Sequence, residues 1–133
     1  MTPLDSSCDV PVTALAYLGD SVYETVIRER LVRLGFSSSS SLNAEALKYV
    51  TAPAQSEAVD AILPLLDSAE ENAYKRGRNS THLKKAHSAT LPEYRRASGL
   101  ETLIGALFLE GKQERIRELI ASAFPALFDS EKT

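Results

Sequence analysis

The 133 residues are 44% hydrophobic and 25% charged, with a formal net charge of −3, the composition of one soluble domain able to bury a core rather than of a disordered or fibrous chain. The single cysteine, Cys8, excludes an internal disulfide framework, fits a reducing cytoplasmic setting and reads as incidental rather than nucleophilic. No apolar run approaches the roughly 18 residues of a membrane span, and the acidic N-terminus lacks the basic region of a signal peptide.

Residues 1–10 read as a loose lead-in. A strong helix is predicted over 11–34, with Pro11 near its first turn and Gly35 ending it. One stripe of this helix runs through Ala16, Asp20, Tyr23, Ile27, Leu31 and Leu34, and an adjoining stripe through Leu15, Leu18, Val22 and Val26. Two adjoining stripes predict a helix more buried than a surface helix. The serine run 37–41 reads as a connector whose last serines cap a helix over "LNAEALKYV". Pro53 marks a boundary before a helix around Ala58, Ile62 and Leu65, with Pro64 near its end. "DSAEENAYKRGRNS" begins with a cap and acids and ends with bases, which suits a helix dipole. Residues 79–90 show no period and read as a loop. A second long apolar helix follows from about residue 91, and after Gly111 a terminal amphipathic helix presents Ile116, Leu119, Ile120 and Ala123. With no alternating pattern of useful length, the prediction is all-α and a single domain, with 129–133 as a tail.

Charge is unevenly placed. Residues 75–96 hold seven basic residues against Glu93, a local balance of +6, while the remainder has eight bases and seventeen acids. Such clustering bears on phosphate binding more than the mean charge does.

The second long helix repeats an oddity of the first. Glu101 stands on a stripe with Tyr94, Ala97, Ile104 and Phe108, much as Asp20 stands among apolar neighbours, and Leu100, Leu103 and Leu107 supply the adjoining stripe. Small residues adjoin both acids: Gly19 and Ser21 beside Asp20, Gly99 and Gly105 around Glu101. A desolvated carboxylate is unfavourable by several kcal/mol, roughly, unless paired, protonated or metal-bound. If the two helices pack together, Asp20 and Glu101 share a site, and oxygen ligands with room for water suit Mg²⁺ or Mn²⁺. The alternative reading is that each acid faces solvent or caps a neighbouring helix.

"YLGDSV" (17–22) together with "LETLIGALFLEG" (100–111) resembles the two acidic helices of the ribonuclease III catalytic domain. "KYVTAPAQSEAV", "YKRGRNS" and "YRRASGLETLIGALFLE", in that order, are similar to mini-ribonuclease III, the branch of the family without a separate double-stranded-RNA-binding domain. The resemblance runs from about residue 12 to 128 and implies that 11–128 is a ribonuclease III-like catalytic domain. It implies an all-α homodimer whose two sites face one RNA duplex, each cutting one strand with Mg²⁺ (Mn²⁺ as substitute) and leaving 5′-phosphate and 3′-hydroxyl ends. Asp20 matches the Asp of the first motif, and Glu101 matches the metal-binding Glu of the second. The larger enzymes carry further acids where this chain has Ala16 and Ser98, so two acids per chain remain for the metal. The implied task is maturation of the large-subunit (23S) ribosomal RNA precursor, and a ribosomal protein that prepares the substrate is an admissible partner.

In this reading Asp20 and Glu101 are catalytic and metal-binding. Lys75, Arg76, Arg78, Asn79, Ser80, Lys84 and Lys85 contact the phosphates and 2′-hydroxyls of an A-form duplex. His82 and His87 read as phosphate-contacting or exposed rather than as general acids, Tyr74 as core, and Glu24 as either a supporting acid or a surface residue. The rival is a non-catalytic helical dimer that binds RNA or protein. A DNA-reading helix is disfavoured by the glycine in "YKRGRNSTHLKK".

Overall fold

The computed structural model describes residues 9–80 and 89–129. Among these, every regular element is helical: α1 (Val12–Arg33), α2 (Ser39–Val50), α3 (Ala52–Ile62) continued by a 3₁₀ turn (Leu63–Leu65), α4 (Ser68–Arg78), α5 (Leu91–Leu109), α6 (Gln113–Ala123) and α7 (Pro125–Asp129). The all-α prediction holds, and none of these helices is long and apolar enough to cross a membrane.

The helix ends follow local chemistry. α1 stops at Gly35, whose φ of 103° an L side chain rarely adopts. Its amide bonds to the Val32 carbonyl and that of Phe36 to Leu31, which satisfies the last carbonyls of the helix. Gly111 ends α5 in the same way. Asp67 and Thr90 each close a capping box, with Glu70 and Glu93 respectively. The cap of α2 is Ser38, earlier in the serine run than expected, so that the last three of its five serines are already helical. The predicted terminal helix is broken at Phe124, because Pro125 cannot donate the amide that would continue it.

α5 is the hub. It packs most extensively on α1, then on α4 and α3, with further contact to α6. Leu100, Leu103, Ile104 and Leu107 of α5 meet Tyr23, Ile27 and Leu31 of α1, Val59 and Ile62 of α3, Tyr74 of α4, and Ile116, Leu119 and Ile120 of α6 in one core. Two expectations fail at the margin of this core. Of the second stripe on α1 only Leu15 is fully buried, while Leu18, Val22 and Val26 line an open groove. Leu65, turned outward by the 3₁₀ segment, is exposed.

Two arginines do structural work that apolar periodicity does not disclose. Arg30 of α1, 1% exposed, donates to the Leu127 carbonyl and lies 5.0 Å from the Phe128 ring centroid, so it anchors α7. Arg115 of α6 grips the buried Glu70 with two donors at 2.8 and 2.9 Å and donates to the Leu65 carbonyl at 2.7 Å. Glu70 also accepts from the Asp67 amide, so one carboxylate joins the start of α4 to α6.

The hydrogen bond from Arg115 is the largest influence holding the Glu70 carboxyl below its ordinary value. A lowered folded-state pKa stabilises the fold fully above the unfolded carboxyl pKa, and this contribution is lost as pH falls through the folded value. Glu70→Ala is therefore expected to be destabilised by about 3 kcal/mol at pH 7, the gap to wild type closing in strong acid. Urea titrations across pH check both parts.

Candidate active site

The site is set by how closely α1 and α5 cross. A Cβ added to Gly19 would lie 1.7 Å from the Glu101 carbonyl oxygen, and one added to Gly105 would lie 2.0 Å from the Leu15 carbonyl oxygen. Only hydrogen fits at either point, so the two backbones touch there. Asp20 follows Gly19, and Glu101 lies one helical turn before Gly105, so the close crossing brings the two acids together from 81 positions apart. Gly99 serves a different contact, with Tyr74 of α4.

The two carboxyls are not alike. Asp20 is exposed, whereas Glu101 is half-buried. The expectation that Asp20 sits embedded in its stripe is corrected here: the stripe is buried before and after it, at Ala16 and Tyr23, but Asp20 itself reaches solvent. Burial, and next the charge of Asp20 and a hydrogen bond between the two side chains, push the Glu101 carboxyl well above the ordinary carboxylate range. Without a cation the pair therefore favours retaining a proton. Glu24 adds a smaller push of the same sign on Glu101, although it is also paired with Arg28 at 2.9 Å.

Two further residues complete the surroundings. Tyr23, buried beneath the pair, donates from its hydroxyl to the Tyr49 carbonyl at 2.5 Å. Its phenol is raised by burial and then by Glu101. Gln55, in the first turn of α3, donates from Nε2 to the Val50 carbonyl at 3.1 Å and to Glu101 Oε2 at 3.4 Å. Sequence reasoning does not single out Gln55. The signal was present, since it shares a helical stripe with the buried Val59 and Ile62 as the only amide there.

Among the described residues no group of three or more His, Cys, Asp and Glu side chains is arranged to hold a metal ion. The donors present are the carboxylate oxygens of Asp20 and Glu101. All are hard oxygen donors, a set that fits a cation keeping most of its water, such as Mg²⁺. Positions 16 and 98 carry no acid, and both Ala16 and Ser98 are buried.

The basic residues divide. Arg78, Asn79 and Arg95 line a shallow depression with Leu91 and Pro92, where the end of α4 meets the start of α5. Lys75 is exposed and pairs with Glu71 at 2.7 Å, a contact of small energetic weight. Arg76 instead turns back to the Val10 carbonyl, and Arg96 is engaged with Asp60 and the Ser56 carbonyl. Ser80 ends the described segment, half-buried. Lys84, Lys85, His82 and His87 lie outside the described residues. Arg95 precedes Glu101 by six positions on one helix, about 9 Å along its axis.

The model of the family described as the ribonuclease III domain matches residues 13–112. A protein of Symbiobacterium thermophilum named mini-ribonuclease 3 is 39% identical over 86% of this chain and 88% of its own. Proteins of the same name from Brevibacillus brevis and Enterococcus faecalis are 40% and 44% identical, covering 83% and 80% of this chain and 82% and 83% of their own. The fold is similar to a crystal structure of a Fusobacterium nucleatum protein, with a TM-score of 0.77 and 31% identity over 92% of this chain and 95% of that one.

The crossing itself can be tested. Gly19→Ala puts a methyl group against backbone that cannot rotate away, so α1 and α5 must separate. The expected loss is about 3 kcal/mol of stability in chemical denaturation. Ser21→Ala, at an exposed position two residues on, is expected to change stability by no more than about 0.5 kcal/mol.

Proposed function

The chain belongs to the ribonuclease III family, and on that footing we propose that it is a metal-dependent endoribonuclease that cuts double-stranded RNA. Its assigned task is to mature the precursor of large-subunit (23S) ribosomal RNA in the cytoplasm, with residues 11–128 as the catalytic domain. The observation that carries the reading is the meeting of Asp20 and Glu101 at the α1–α5 crossing, where two carboxyls from distant parts of the chain are forced into mutual repulsion. A scaffold gains nothing from that repulsion, whereas a cation site depends on it.

A bound Mg²⁺ or Mn²⁺ supplies an activated water, charge against the non-bridging phosphate oxygen and stabilisation of the leaving 3′-oxygen. Asp20 and Glu101 are the residues that hold it. Exposed Asp20 offers its oxygens on the side open to the RNA, while half-buried Glu101 offers its own from the protein side. Lys75, Arg76, Arg78 and Asn79, with Ser80, Lys84, Lys85 and Arg95, bind phosphates and 2′-hydroxyls along an A-form duplex, whose backbone and shape are what a protein can read. Arg76 is exposed and donates to the Val10 carbonyl from one terminal nitrogen, which leaves its other donors for the RNA.

A homodimer places two such sites against the two strands. Its face is assigned to the groove lined by Leu18, Val22, Val26, Phe108 and Ile116 and to the neighbouring ring of Tyr17, which is 85% exposed. An aromatic side chain so placed is the kind of residue that anchors interfaces.

Incubation of labelled duplex RNA and of a 23S precursor with Mg²⁺ tests the activity. Asp20→Asn is expected to lower cleavage by about a hundredfold or more while still binding the duplex, and EDTA is expected to abolish cleavage. Uncut RNA of both kinds with the wild type would instead identify a helical RNA-binding protein. Sedimentation velocity tests the interface: wild type is expected as a dimer and Val22→Arg as a monomer, and a monomeric wild type refutes the assignment.

A further inference from the structure

Gln55 is 2% exposed, and its environment is chemically lopsided. Both amide protons have acceptors, the Val50 carbonyl and Glu101 Oε2. Its Oε1 is buried and has no hydrogen-bond partner among the described residues. Exchanging oxygen and nitrogen would not repair this, because the oxygen would then face the Val50 carbonyl, acceptor against acceptor. A buried acceptor left unmet is unfavourable by about 1–3 kcal/mol. A Met or Leu at this position would avoid that penalty. Ala58, Val59 and Ile62, also buried on α3, are apolar and carry no such penalty.

The unmet oxygen belongs to the same amide that touches Glu101, so the missing donor must sit beside the carboxylate pair. A water bound to a divalent cation meets that description. Its lone pair is committed to the metal, and both of its polarised O–H bonds need acceptors outside the first coordination shell. With only Asp20 and Glu101 supplied by the chain, an octahedral cation keeps several waters, each seeking such an acceptor.

We propose that Gln55 is a positioning residue for the cation site: Nε2 fixes the Glu101 carboxylate, and Oε1 accepts a hydrogen bond from a water of the bound cation. The proposal rests on the metal-dependent reading above. It accounts for an amide with both faces buried, one satisfied by the protein and the other by the cation's hydration shell. A neutral oxygen suits the position, because a third carboxylate there would add to a repulsion that already raises Glu101.

The test uses the full-length protein and Mn²⁺ as probe, with binding followed by electron paramagnetic resonance and calorimetry, and folding followed by thermal melting in EDTA. Gln55→Met keeps the length of the side chain and removes both hydrogen-bonding faces. The expected result is a Kd for Mn²⁺ weakened about 10–100-fold, with the melting temperature in EDTA close to that of wild type, since loss of the unmet acceptor offsets the donor lost to the Val50 carbonyl. The Mg²⁺ midpoint for duplex cleavage shifts in parallel, and saturating Mg²⁺ restores the rate. A purely structural Gln55 gives the opposite pattern, a lowered melting temperature in EDTA with Mn²⁺ affinity within twofold of wild type, and that overturns the proposal. Should Gln55→Met fail to fold, Gln55→Leu carries the same comparison. If the wild type binds no Mn²⁺, the metal-dependent reading falls and this proposal with it. If wild-type binding is lost in Glu101→Gln but unmoved in the Gln55 variant, only this proposal falls.

Discussion

The contact between the backbones of α1 and α5 sets the rest of the molecule. Two helices approach this closely only where side chains are absent, and Gly19 and Gly105 provide the two points of contact. Each glycine in a helix interior is unfavourable by about 1 kcal/mol relative to alanine. The return is positional: α5 becomes the axis against which α1, α3 and α4 pack, and Asp20 and Glu101 are held at one place by main chain rather than by flexible side chains. Sites on rigid elements keep their geometry better than sites on loops.

Much of this was legible in the sequence, for reasons that differ by element. Helix periods and ends are local, so α1, α4 and α5, the stop at Gly35 and the cap that opens α4 were read from a few neighbouring residues, while the capping box at Thr90 lay at the edge of a stretch read as a loop. The paired acids were visible as interruptions of apolar stripes. Their unequal exposure was not, because periodicity fixes a face of a helix but not how far the neighbouring helix extends over it. Arg30 was hidden for a related reason. A guanidinium on a buried face looks like an error of pattern until the Leu127 carbonyl and the Phe128 ring arrive from the far end of the chain. Gln55 escaped notice because one amide in an apolar stripe is a weak signal, and its meaning lies in Glu101, 46 positions away.

Charge is managed differently in the three places where it enters the fold. The Glu70–Arg115 fork is closed upon itself, with donors matched to acceptors. The Asp20–Glu101 pair is left unbalanced, like against like. The basic residues near the junction of α4 and α5 sit at the edge of an acidic protein, where some are committed to the fold, as Arg96 is, and others face solvent. Neutralising the two acids would relieve their repulsion and leave nothing there to bind a cation. Electrostatic frustration confined to one face, on a scaffold whose other ion pairs are satisfied, is a recurring condition of catalytic sites.

The bond from Arg30 to the Leu127 carbonyl spans 97 positions, nearly the whole domain. It means that α1 cannot complete its environment until α7, far along the chain, has been synthesised, and its main partner α5 is also made well after it. During synthesis at about 5–20 residues per second, the apolar face of α1 waits for several seconds without its native cover. Folding of this domain is thus tied to the synthesis of its later helices, and the acids of the site come together only once α5 has been made.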